Sequence, residues 1–318
     1  MSATITFSLE VELGWGVHDL ENFEEAMESH SENRQKETKT LNDLLETCEK
    51  SVIPFTFDVV GHLFRETCNG THLGPHPEGW FTRDPGTDLE TDPHFFAPDL
   101  IDAIKNSQTN HEICTHTFSH IPCSQVSDEV VDWEFQRVRE IHEEKLDQRL
   151  VSFVPPRHSP PPKEMIKKHN IKIIREPVSR TKSKTKLHTL IDDLFRKHPV
   201  QKPKIVDGIV ESYSSPAGSL NANHLPDGNS PPHPIYRVIP VGVRKLLHKK
   251  YLMDALDQAI EEDSYAHFWS HLHDITNKHQ IDIITWFIKE VAQKRDAGNV
   301  EVLTMDELNY KVREHDGQ

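Results

Sequence analysis

The 318 residues carry 36 lysines and arginines against 51 aspartates and glutamates, a formal net charge of −15. That balance repels phosphate backbones and anionic headgroups, which makes nucleic acid and membrane surfaces poor partners, and no stretch is apolar enough to span a bilayer. Hydrophobic residues make up 35% and mean hydropathy is −0.62, yet apolar runs recur throughout, so one domain over residues 1–318 is expected to bury a sizeable core.

The first eight residues run directly into a strand-like segment without the basic start and apolar stretch of a secretory signal. Cys48, Cys68, Cys114 and Cys123 lie at spacings that match no zinc-finger or redox motif. They are expected to be reduced thiols in a cytoplasmic protein.

Short apolar strands alternate with amphipathic helices, a rhythm that builds parallel strands covered by helices, so the expected fold class is α/β. Residues 5–11 read as the first strand, 22–50 as largely helical, and 52–60 as a second strand rich in β-branched and aromatic residues. A helix at 99–106 leads to a short strand at 112–114. Ser127 is placed to cap a long helix to about 147, with Glu129 near its start, where an acidic side chain suits the helix dipole. A strand at 150–154 precedes the stiff prolines Pro155-Pro156 and Pro160-Pro161-Pro162, then a helix at 163–169 and a strand at 171–174. Between 177 and 240 the rhythm weakens: a basic stretch at 180–186 precedes a Pro-, Ser-, Asn- and Gly-rich run at 212–234. That region is expected to be an irregular insertion or lid. A helix at 242–261, a strand at 265–271, a helix at 277–297, a strand at 300–303 and a helix at 305–312 complete the alternation.

Residues at the ends of parallel strands point into the mouth where substrates bind, so chemistry is sought there. His116-Thr117-Phe118-Ser119-His120 follows a short apolar strand. If it forms a helical turn, the four-residue spacing sets both imidazoles on one face, able to chelate one divalent cation. With 22 histidines in the chain, such a pair also arises by chance, and its position is what gives it weight. Ser8-Leu9-Glu10-Val11-Glu12 closes the first strand with two carboxylates on one face, before Gly14-Trp15-Gly16. One carboxylate can complete a metal site while its neighbour takes a proton from water; solvated charges on an edge strand are the bland alternative. Phe268-Trp269-Ser270-His271 is another apolar strand ending in histidine, placed to protonate a leaving amine. Arg157, after Pro155-Pro156, can orient a carboxylate or bind substrate oxygens, and a surface salt bridge explains it nearly as well. Asp84 and Asp88 lie in a polar loop where either a ligand or turn chemistry fits.

Taken in order, the first-strand motif, Thr56-Phe57-Asp58-Val59-Val60-Gly61, the His116 and His120 motif, Phe153-Val154-Pro155-Pro156-Arg157 and the strand ending at His271 resemble the successive motifs of the polysaccharide deacetylase (NodB-type) family. The similarity spans nearly the whole chain apart from 177–240. It implies a distorted parallel (β/α) barrel of seven or eight strands and a hydrolase of carbon–nitrogen bonds. Such an enzyme removes N-acetyl, sometimes O-acetyl, groups from amino-sugar glycans or their precursors. It also implies a divalent metal, zinc by preference, on His116 and His120, with His271 as general acid and a carbohydrate substrate. Members carry two adjacent aspartates, base then ligand, whereas Val11 separates Glu10 from Glu12. Glu10 is assigned as base and Glu12 as ligand, and the reverse order stays open. The family's arginine precedes the prolines, where Val154 stands. This irregular first motif leaves two rivals, a metal-independent allantoinase-like amidohydrolase and a carbohydrate-binding relative without turnover.

Overall fold

A computed structural model describes residues 2–178, 197–226 and 234–316. The first strand, β1 (Ala3–Val11), shows the principle of the molecule. Its residues alternate between Ile5, Phe7, Leu9 and Val11, which join the main hydrophobic cluster, and Thr4, Thr6, Ser8 and Glu10, which are buried as well. Both faces are therefore covered: the apolar one by helices, the polar one by the opposite side of a closed ring of strands.

The ring is formed by β1, β2 (Thr56–Val59), β3 (Glu112–Thr115), β4 (Ser152–Phe153), β5 (Ile173–Pro177), β7 (Ile209–Ser214) and β8 (Tyr265–His271), every neighbour parallel, and β8 returns to β1. This is a distorted parallel (β/α) barrel of seven strands. A short β9 (Val300–Val302) pairs with Ala3, Thr4 and Ile5 of β1, below the point where β2 takes over the same edge from Ser8 onward. Met305 and Leu308 of the last helix pack with Cys114, Val154, Ile173, Val210 and Tyr265.

Helices Gln35–Ser51 and Lys278–Asp296 pack against each other over the apolar face of β1. In the first, Leu41, Leu44, Leu45 and Cys48 follow helical spacing and are buried. The expected helix at 22–50 is interrupted: a short helix Phe23–Met27 ends, Asn33 and Arg34 adopt positive φ, and the backbone N–H of Ser31 donates to buried Glu37 at 2.9 Å. Arg34 is anchored to Asp99. The second strand is shorter than expected because Val52 caps the preceding helix in a left-handed conformation. Ser127 stands at the N-cap of helix Asp128–Ile141 without a side-chain capping bond, and a π-helical turn, His142–Leu146, carries the helix to Asp147.

The largest departure falls in 177–240. Strand β6 (Lys204–Val206) and β7 form a hairpin around Asp207 and Gly208, both at positive φ as a two-residue hairpin turn requires. β7 is a barrel strand, so this part of the expected insertion or lid belongs to the ring itself. Its inward residues are Ser212 and Ser214, whose hydroxyls hide the strand from a search for apolar runs. The basic stretch at 180–186 and residues 227–233 of the polar run lie outside the described residues. No helix among the described residues is long and apolar enough to cross a membrane. The four cysteines are free.

Candidate active site

Parallel strands bring their carboxyl ends to one rim, and the register fixes which residues meet there. Glu10 of β1 is aligned with Asp58 of β2 on one side and with His271 of β8 on the other. Glu12 follows β1, and His116 follows β3. These four segments, remote in sequence, supply one cluster.

Glu12 Oε1 lies 3.1 Å from Nε2 of both His116 and His120. The two rings do not sit on a helical turn as expected. Thr117 and His120 take positive φ, and the turn between them is held by Glu134, which accepts the N–H groups of Phe118 and Ser119 at 2.6 and 2.9 Å and the Ser119 hydroxyl at 2.6 Å. The N–H of Gly61 and of His62 donate to the carbonyls of Thr117 and Phe118. His116 Nδ1 donates to the Val154 carbonyl at 2.8 Å, which leaves Nε2 as a lone pair facing Glu12. Gly16 curls back over Glu12 so closely that a Cβ there would strike the carboxylate.

Two imidazole nitrogens and a carboxylate oxygen at these separations suit one face of a tetrahedral metal site, whose ligand atoms stand roughly 3.3 Å apart. The donor set, with the His116 tautomer fixed from behind, fits a divalent cation. Glu12 is held well below the usual carboxylate range: burial would raise it, but His120 and His271 with the histidine hydrogen bonds outweigh that cost.

Glu10 stands beside this set. One oxygen accepts from Arg175 and the other lies 3.0 Å from His271 Nε2. Burial would raise its carboxyl, yet Arg175 above all, then His271 and His116, bring it down to about 2. His271 is pushed well above the ordinary imidazole value, against its burial, by Glu10, Glu12 and an Nδ1 contact of 2.9 Å to Asp274. Glu10, Glu12, His116 and His120 are all at most 5% exposed, whereas the His271 side chain is 28% exposed and marks the open side.

Arg157 does not join the cluster. It reaches the Gly16 carbonyl at 3.3 Å and Asp19. The arginine that sequence reasoning missed is Arg175, fully buried within the barrel. It donates to Ser8 Oγ at 2.9 Å, lies 3.6 Å from Asp58 and stacks on Trp269 at 4.2 Å. A charged residue on the apolar strand Ile173-Ile174-Arg175 was the signal. Asp58 was missed as well: burial, opposed by Arg175 but reinforced by Glu10, pushes its carboxyl up to about 7. Asp84 sits away from the cluster, against His62 and His72, and Asp88 caps a turn at Thr91.

A polysaccharide deacetylase family model matches residues 30–173, a span that contains Asp58, His116 and His120. No curated protein matches the chain. Among solved structures, one described as a polysaccharide deacetylase from Mycobacterium smegmatis aligns with TM-score 0.63 at 14% identity, covering 99% of this chain and 91% of that one. Another so described, from Pseudomonas aeruginosa PAO1, aligns with TM-score 0.56 at 13% identity over 96% and 89%. Puue allantoinase aligns with TM-score 0.55 at 11% identity over 96% and 89%. Residues 30–173 are similar to the polysaccharide deacetylase family model, and the closed parallel barrel is the fold that the chain shares with these neighbours.

Proposed function

We propose that the chain removes N-acetyl groups, and O-acetyl groups where offered, from an amino-sugar-containing glycan or its precursor. The observation that carries this reading is the meeting of Glu12, His116 and His120 beside a Glu10–His271 pair. A divalent metal, zinc by the chemistry of two imidazoles and a carboxylate, would be held by Glu12, His116 and His120 and would polarise the acyl carbonyl and acidify a water.

The remaining work falls to side chains. Glu10 takes the proton of the attacking water, with Arg175 keeping its carboxylate ionised and aimed. The water oxygen bonds to the acyl carbon, the carbon–nitrogen bond breaks, and His271 gives its Nε2 proton to the departing nitrogen. Asp274 fixes the ring from Nδ1. The 3.0 Å contact between Glu10 and His271 then returns the proton from base to acid, and the balance is amide plus water to acetate plus amine. Arg157 has no step in this scheme. Reduced cysteines favour a cytoplasmic setting, in which a glycan precursor is the fitting substrate.

Metal-loaded protein is expected to release acetate from N-acetylated glucosamine oligosaccharides, and the His116→Ala, His120→Ala double variant to lose both bound metal and release. Retained release in that variant rejects the metal-dependent reading in favour of the allantoinase-like alternative. No release from any acetylated oligosaccharide or precursor favours a binding protein without turnover.

A further inference from the structure

The segment from Val60 to Ala97 joins β2 to helix Pro98–Lys105 with no helix beyond one 3-10 turn, Gly61–Phe64, and a single bridge between Thr67 and Asp88. An ordered stretch of that length without regular structure needs something to hold it. Four of its side chains, His62, Cys68, His72 and Asp84, turn toward a common point, each offering one atom within 4.8 Å of the others.

The hydrogen bonds around this cluster leave the inward nitrogen of His62 as a lone pair. His62 Nδ1 donates to the Phe95 carbonyl at 3.2 Å, so its Nε2 is the unprotonated nitrogen. That nitrogen is buried, has no hydrogen-bond partner, and faces Asp84 Oδ2 at 3.4 Å. Two acceptors held face to face in a dry interior repel unless a cation lies between them. Asp84 uses its other oxygen to accept the Gly86 N–H at 3.1 Å, keeping Oδ2 for the cluster. His72 Nε2 lies 2.5 Å from that same Oδ2 and 3.5 Å from Cys68 Sγ. The rings are fixed from outside, His62 against Trp15 at 4.4 Å and His72 against Phe81 at 4.1 Å.

We propose that His62, Cys68, His72 and Asp84 form a second metal site, a structural zinc centre that staples this segment. Two imidazoles, a thiolate and a carboxylate close a tetrahedral shell, with no position left for substrate. The 3.4 and 3.5 Å separations match the roughly 3.3–3.8 Å expected between ligand atoms of such a shell, and the His72–Asp84 contact opens to that spacing as the metal enters. The site shares no ligand with Glu12, His116 and His120 and does not depend on the function proposed above. Its consequence reaches them nonetheless. The stapled segment carries Trp80, whose Nε1 donates to Ser119 Oγ at 2.8 Å inside the turn between His116 and His120.

The test is the absorption spectrum of full-length protein made in cobalt-supplemented, zinc-depleted medium. A thiolate-to-cobalt charge-transfer band is expected, because the other ligand set contains no sulfur, and Cys68→Ser is expected to lose it. Elemental analysis of the His116→Ala, His120→Ala protein should still find about one zinc per chain, removed by adding His72→Ala. Absence of the band in the wild-type protein, which requires no variant to fold, overturns the proposal. So does a zinc content unchanged by both Cys68→Ser and His72→Ala.

Discussion

Arg175 crosses the interior of the barrel to donate to Glu10, and in doing so it holds down the carboxyl that faces Glu12, His116 and His120. Arg175→Met removes the cation that opposes burial, so the Glu10 carboxyl rises from about 2. Loss of kcat by about 10²–10⁴-fold is expected, with the acid limb of the kcat/KM profile moved to higher pH. Arg157→Ala, by contrast, breaks a partly exposed pair with Asp19 and is expected to leave kcat/KM within about threefold. Equal losses in the two variants contradict the assignment.

The positions of these two arginines show what sequence could and could not convey. β1 was legible because its apolar and polar residues alternate strictly; the carboxylates, His116 and His271 were legible because each closes or follows an apolar strand, and His120 through its four-residue spacing from His116. Arg175 and Asp58 were not, since their partners come from neighbouring strands and only barrel closure brings Ser8, Glu10, Asp58 and Arg175 together. The hairpin of β6 and β7 carried an Asp207-Gly208 signal, but the serines of β7 broke the hydrophobic pattern that would have framed it. The cluster of His62, Cys68, His72 and Asp84 follows no standard ligand spacing, and folding of an irregular segment is what assembles it.

Gly16 lies where a side chain would collide with the Glu12 carboxylate. Gly16→Ala is expected to swing Glu12 away from His116 and His120 and to weaken metal binding at least about tenfold, measured by competition with a chromogenic chelator. Unchanged affinity means that Glu12 is not a ligand.

Glu134 braces the turn that carries both histidines without bonding to either imidazole. Its replacement by alanine leaves the N–H groups of Phe118 and Ser119 without their acceptor and is expected to cost about 10–100-fold in metal affinity. A positioning role predicts that excess metal restores kcat. A lower melting temperature with unaltered affinity would show a purely structural role.

Stability should fall in mild acid. Burial lowers His30 to about 3 and His111 and His142 to about 4, so each stays neutral in the fold at pH values where the unfolded chain takes up a proton. Their contribution is present above pH 6.5 and is lost as pH falls toward 4. Asp58 and Glu112, raised by burial to about 7, act with opposite sign over pH 4 to 7 and soften the fall. Denaturant titrations across this range, with His142→Gln as the comparison, are expected to show about one fewer proton taken up on unfolding for the variant. An identical slope refutes the assignment for His142.

The most direct measurement is anomalous scattering at the zinc edge from crystals of the protein grown with zinc. A peak within about 2.2 Å of Glu12, His116 and His120 together, with Glu10 and His271 beside it, is the predicted result. Zinc-replete crystals with no density among these three side chains contradict the account.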